Sequence, residues 1–285
     1  MARHVGIVVH QTRPEALAFA QEVIAWLLER NIGVRLNGKS AQKLNRPELT
    51  EIDWNDVAFI VTLGGDGTIL MAARMAAERG IPILGVHMGR FGFIAETHPD
   101  DLFPHLEEIL NGRMKLEERV MVHAEVWREG ACVHRGVGLN DAIIKSGMSH
   151  MLRLKTFLGG SLFATFPADG IIVSTPTGST AYALSAGGPL VVPTVEAFVV
   201  VPICPHTLSA RPMVVPGAEI IEVEVESDGG EVIFAVDGIE PFALQNGDRV
   251  LARRADFMTR LIVLDHVTFY RKVRNRYLYG ERLNE

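Results

Sequence analysis

The sequence predicts an open α/β domain followed by an all-β domain, with a short tail returning to the first. Three observations point there. Up to Lys115, short apolar runs alternate with segments of helical spacing, as in a parallel sheet covered on both faces. Beyond Lys115 the apolar period shortens and turn residues recur every few positions, as in all-β domains. Residues 64–68 read GGDGT between an apolar run and an alanine-rich one, a strand-to-helix turn where open α/β sheets bind ligands. The expected domains are residues 1–115 and 116–260, with a tail over 261–285 packing on the first.

Taken in order, residues 5–9 form an all-apolar strand, and Pro14 starts a helix whose apolar spacing runs over 16–28. Gly33 is expected to end it before a strand at 34–36. Residues 59–63 read as a buried strand, 69–78 as a helix, 81–86 as a strand, and 102–110 as a helix ended by Asn111 and Gly112. Residues 120–127 alternate, turn at Gly130 and pair back over 131–137 as a hairpin. Short strands are predicted at 152–154, 162–166, 171–175, 220–225, 232–236 and 249–252, separated by turns such as SDGG and QNGD. Residues 261–264 and 269–279 make up the returning tail. No internal repeat is evident.

The chain has 285 residues, enough to bury a large core and to form two domains. A net charge of −6 argues against general nucleic-acid affinity. The basic run Arg271, Lys272, Arg274 and Arg276 beside Phe269, Tyr270, Tyr277 and Tyr279 reads as an amphipathic tail docking on an acidic surface. The amino-terminal apolar run is too short for a signal peptide, and the one at 195–203 is too short for a membrane span and is followed by Pro205. A cytoplasmic protein without membrane or nucleic-acid partners is expected. Cys132 and Cys204 lie far apart in no ligand pattern and read as buried core thiols.

Chemistry concentrates in three places. Three glycines in five residues permit close approach of Gly65, Gly67 and Thr68 to an anion at a helix start. No Lys follows the last glycine, which excludes a Walker A loop, and Leu70 occupies the third glycine position of a dinucleotide fingerprint. Asp66 therefore either caps the helix or handles a proton or metal, and the surrounding glycines favour chemistry. A second cluster, ADGIIVSTPTGSTAYALSAGG over 168–188, offers Thr177, Ser179 and Thr180 as free hydroxyl donors and Tyr182 as a stacking surface. The third, Asn140–Asp141, puts an amide beside a carboxylate, suited to a base edge or ribose but also an ordinary turn.

Together GGDGT, Asn140–Asp141, ADG at 168–170 and TPTGSTAYALSAGG at 175–188 resemble the motifs of the bacterial NAD kinase family, and GVHMGRFGFIAE at 85–96 is similar to another of its stretches. The resemblance covers nearly the whole chain. It implies transfer of the ATP γ-phosphate to the 2′-hydroxyl of the adenosine ribose of NAD, giving NADP, with polyphosphate an alternative donor. It also implies a β-sandwich-like second domain, NAD between the domains, and a homodimer or homotetramer. Asp66 matches the family's general base, with Gly67 and Thr68 beside it. Asn140 and Asp141 match adenine and ribose contacts, and Thr180, Ala181, Tyr182 and Ser185 match the adenosine loop. Asp169 matches a contact that can come from a neighbouring subunit, and His150 lies near a further cofactor contact. Mg²⁺ or another divalent cation would arrive with ATP, without a protein cage. His87 and Phe91 depart from the family's usual Asn and Leu, and Pro167 and Ile239 stand where some members carry Arg and Gln. A lipid kinase of the diacylglycerol-kinase type, with a related glycine turn, and a non-catalytic NAD-binding sensor remain the alternatives.

Overall fold

Apolar runs at the amino terminus become the centre of a parallel sheet. The computed structural model describes residues 4–51, 53–89, 92–147, 151–264 and 269–277. These fall into two compact units, one built from the residues up to Glu118 with those from Thr259 on, the other Arg119–Met258.

In the first unit, β1 (His4–Val9) leads through α1 (Pro14–Glu29) to β2 (Gly33–Leu36) and α2 (Gly38–Leu44). Pro14 takes the first helical turn as expected, but α1 ends before Gly33, at left-handed Asn31. The helix α2 was not expected; Asn37 caps it, its side chain accepting from Ser40 N at 2.8 Å. Then follow β3 (Val57–Gly64), α3 (Asp66–Ala76), β4 (Ile83–His87), α4 (Leu102–Leu110) and β5 (Lys115–Arg119).

The second unit carries β6 (Val122–Arg128), β7 (Ala131–Gly138), β8 (Asp141–Ser146), β9 (Leu152–Leu158), β10 (Ser161–Ala168) and β11 (Gly170–Ser174). After a 3₁₀ turn, Thr177–Thr180, come α5 (Tyr182–Ser185), β12 (Ala197–Ile203), β13 (Met213–Pro216), β14 (Ile221–Glu226), β15 (Val232–Val236), β16 (Ile239–Leu244) and β17 (Arg249–Arg254). Two six-stranded sheets result, ordered β10-β9-β14-β17-β6-β7 and β13-β12-β11-β8-β15-β16. Their inner faces share one core, with Val122, Val126, Leu154 and Val223 from one sheet and Ile144, Val173, Phe198 and Phe234 from the other. This is the β-sandwich architecture. The predicted 120–137 hairpin is present as the antiparallel pair β6–β7.

The chain then returns through β18 (Thr259–Val263) and α6 (Phe269–Tyr277). β18 adds to the first sheet, whose order is β2-β1-β3-β4-β18-β5, with β2, β1, β3, β4 and β18 paired in parallel. Its core is the expected one: Phe59, Val61 and Leu63 of β3, Val5 and Ile7 of β1, and Ile24 and Leu27 of α1. Each such side chain contributes about 1.5–3 kcal/mol by leaving water. Among the described residues no helix is long and apolar enough to cross a membrane.

The two cysteines contradict the core reading: both are exposed. Cys132 lies on β7, an edge strand whose early residues face solvent, and Cys204 follows β12 in the left-handed region at φ 46°.

Candidate functional site

In the first sheet the chain runs from β1 out to β2 and then back to β3 on the other side of β1, so the carboxyl ends of β1 and β3 form the topological switch point. The backbone N–H of His10 donates to the Leu63 carbonyl at 2.9 Å and keeps the two ends together. The GGDGT turn sits here. Gly64 ends β3, where a Cβ would lie 2.1 Å from Thr68 Oγ1. Gly65 is the N-cap of α3 and the helix starts at Asp66, three residues earlier than the sequence spacing suggested. Because Gly65, Asp66 and Gly67 begin a helix, their backbone adopts the anion-binding arrangement of N–H groups directly. A cavity of about 440 Å³ opens beside it, lined by Val9 to Arg13 from the end of β1 and by Gly65, Gly67, Thr68 and Met71.

Asp66 makes no cap for α3. Its carboxylate instead accepts the backbone N–H of Phe93 at 2.9 Å and of Ile94 at 3.2 Å. That spends one lone pair on each oxygen and leaves others for a substrate hydroxyl. The approach is close enough that a Cβ on Gly92 would fall 2.1 Å from Asp66 Oδ1, which explains a glycine there. Nearby His87 is held neutral towards lower pH, since burial pushes its pKa down.

The second unit assembles the other motifs around Asp237. This residue sits just after β15 at φ 52°, and its carboxylate accepts from the N–H groups of Leu139, Asn140 and Asp141 at 2.9, 2.8 and 3.2 Å. The Asn140 carbonyl in turn accepts from Thr175 N at 2.8 Å, and the Leu139 carbonyl from Thr175 Oγ1 at 2.5 Å. Gly178 packs backbone to backbone on the same residue, a Cβ there falling 2.1 Å from the Asn140 carbonyl oxygen. Asn140, Asp141 and the TPTG turn are thus one rigid cluster. Asn140 Oδ1 is buried with no hydrogen-bond partner among the described residues, an acceptor the fold itself does not use. Asp141 is 3% exposed, and burial beside the Asp237 charge raises its pKa to about 7.

Two of the three hydroxyls, those of Ser179 and Thr180, correct the expectation of free donors. Ser179 is fully buried and donates to the Pro176 carbonyl at 2.7 Å while accepting from Val191 N at 3.0 Å. Thr180 Oγ1 donates to the Thr177 carbonyl at 3.1 Å, and Thr177 Oγ1 accepts from Arg119 at 3.4 Å. These groups hold the loop's shape, because a glycine- and hydroxyl-rich turn closes on itself when its flanks are buried. Tyr182, in contrast, is 40% exposed at the start of α5, beside partly buried Ala181 and exposed Ser185. Asp169 is half-exposed, with His206 3.9 Å away. His150 and Phe91 lie outside the described residues. The sequence reading missed Asp237 and the β1 end, His10 to Arg13; the Asp–Gly pair at 237–238 was the available signal for the former.

Two family models match this chain, one described as the ATP-NAD kinase N-terminal domain over residues 5–114 and the other as the ATP-NAD kinase C-terminal domain over residues 139–264. A curated NAD kinase of Moorella thermoacetica is 41% identical over 98% of this chain and 90% of its own, and one of Symbiobacterium thermophilum is 39% identical over 95% and 97%. Among solved structures, yeast NADH kinase complexed with NADH superposes with a TM-score of 0.89 at 26% identity, covering 99% of this chain and 90% of that one. An NAD kinase from Archaeoglobus fulgidus in complex with ATP gives a TM-score of 0.71 at 25% identity over 97% of both chains.

Proposed function

The chain belongs to the ATP-NAD kinase family, and from that membership we propose that it phosphorylates the 2′-hydroxyl of the adenosine ribose of NAD with the γ-phosphate of ATP. The observation that carries the chemistry is Asp66, a half-buried carboxylate fixed by two N–H groups at a helix start that offers backbone donors to phosphate. A ribose hydroxyl is a weak nucleophile at neutral pH and becomes acidic only as its oxygen bonds to phosphorus, so a fixed base matters in the transition state. Asp66 is that base, and Gly65, Gly67 and Thr68 supply the donors facing the phosphates. Among the described residues no group of three or more His, Cys, Asp or Glu could hold a metal ion. The divalent cation is taken to arrive with ATP, where it neutralises the phosphate charge that would otherwise be repelled by Asp66.

Asn140 and Asp141 would hold the adenosine of NAD. The unpartnered Asn140 oxygen supports this, since it awaits a donor such as an exocyclic amine. Thr180, Ala181, Tyr182 and Ser185 would complete the adenosine contacts, with Thr177 shaping the loop, and half-exposed Asp169 would be offered to a neighbouring copy in a homo-oligomer. A cytoplasmic setting fits the substrates. Incubating the purified protein with NAD and Mg-ATP should yield NADP; NAD binding without turnover would favour the sensor, and phosphorylation of diacylglycerol the lipid kinase. Inorganic polyphosphate in place of ATP tests the donor in the same assay. The exposed ring of Tyr182 gives a further expectation. Tyr182→Ala should weaken NAD binding by about 1–3 kcal/mol, the scale of base–aromatic stacking, as read by calorimetric titration. An unchanged titration with intact fold would remove Tyr182 from the adenosine site.

A further inference from the structure

The tail helix α6 brings a buried lysine to the back of the segment that grips Asp66. Lys272 is 8% exposed and Glu96 5%. The Lys272 ammonium donates to the Glu96 carboxylate at 2.6 Å and to the Phe93 and Ala95 carbonyls, both at 3.1 Å. An ammonium has three donors, and all three go to residues 93–96. The opposite edge of this segment is zipped to β4: Glu96 N donates to the Gly85 carbonyl at 2.9 Å and His87 N to the Thr97 carbonyl at 3.0 Å. Tyr277 stacks on Phe93 with ring centroids 5.6 Å apart, and the Arg276 guanidinium lies 5.3 Å over the same ring. Residues 93 and 94 are those whose N–H groups bind Asp66. The peptide units are therefore gripped through Phe93 O by the tail and presented through Phe93 N and Ile94 N to the carboxylate.

We propose that Lys272 is a positioning residue for Asp66, acting through the backbone of residues 93–95 so that the carboxyl-terminal helix sets the orientation of the proposed base. This rests on reading Asp66 as the base. A buried pair loses its balance when one partner is removed, so the informative variant removes both charges together, Lys272→Met with Glu96→Gln. In that double variant the Phe93 and Ile94 amides should exchange with deuterium at least about tenfold faster than in the parent, while amides of β1 and β3 keep their protection. The rate of phosphoryl transfer should fall about 10- to 100-fold, as for a displaced catalytic group, with KM for NAD changed less than about threefold. Lys272→Arg, which keeps the charge, should recover part of the rate. In an Asp66→Asn background the double variant should cost little further rate. Unchanged exchange at Phe93 and Ile94 would overturn the brace, as would an undiminished rate loss in the Asp66→Asn background. The failure of the base reading looks different: Asp66→Asn alone would then transfer phosphate normally, while accelerated amide exchange in the double variant would still report the mechanical link.

Discussion

Asp66→Asn should lower single-turnover phosphoryl transfer by about 10²–10⁴-fold, the usual contribution of a positioned acid or base. The amide has nearly the carboxylate's size but cannot take the ribose proton. It also retains only one acceptor atom, so it can satisfy Phe93 N or Ile94 N well but not both. Because Asp66 caps nothing in α3, the helix itself should survive the change, and circular dichroism should match the parent. NAD affinity should shift far less than the rate, since the proposed adenosine contacts are elsewhere in sequence. A near-normal rate would reduce Asp66 to a tether for residues 93 and 94. A rate loss matched by an equal loss of NAD binding would make it a binding residue rather than a base.

The sequence made β3 and α3 legible because an unbroken apolar run, a glycine turn and an alanine-rich helix each carry their own local signal. Five strands, β5, β8, β12, β13 and β16, are absent from the sequence reading, and β5 and β8 show why. β5 is KLEER, an edge strand whose polar residues have no period to show. β8 begins at Asp141 directly after an Asn–Asp pair that reads as a turn, and it is central in its sheet with both faces buried at 141–144, so alternation is absent there. In the site, residue types were legible but their satisfaction was not. Ser179 and Thr180 are donors by chemistry, yet only the fold determines that their protons go to Pro176 and Thr177. Asp237 is organised around Asn140 from 97 residues away, a relation no local pattern encodes. Likewise the basic run at 271–276 reads as an amphipathic tail docking on an acidic surface, but which cation docks is set by the fold: helical spacing turns Lys272 and Val273 inward and leaves Arg271, Arg274 and Arg276 outside.

Asp141→Asn should flatten the dependence of stability on pH. In the unfolded chain this carboxyl ionises near 3.8; in the folded protein, burial first and the Asp237 charge second raise it to about 7. Between these values the native state holds a proton that the unfolded state has released, so stability falls as pH rises. The favourable contribution is complete below about pH 4 and lost once pH passes about 7, a change on the order of 4 kcal/mol from the roughly three-unit difference. Urea unfolding at a series of pH values, with parent and variant compared at each, isolates this group because the other titrations cancel. The two should be closest near pH 4, and the variant should become the more stable as pH rises to 8. Its neutral amide does not have to ionise beside Asp237, whose carboxylate remains committed to three backbone N–H groups. The same variant should bind NAD more weakly if Asp141 holds the ribose, so stability gained above neutral pH and affinity lost would mark a carboxylate kept for function at a structural cost. Parallel pH profiles for parent and variant would show that Asp141 is ionised in the native state throughout, and would remove the basis for this trade.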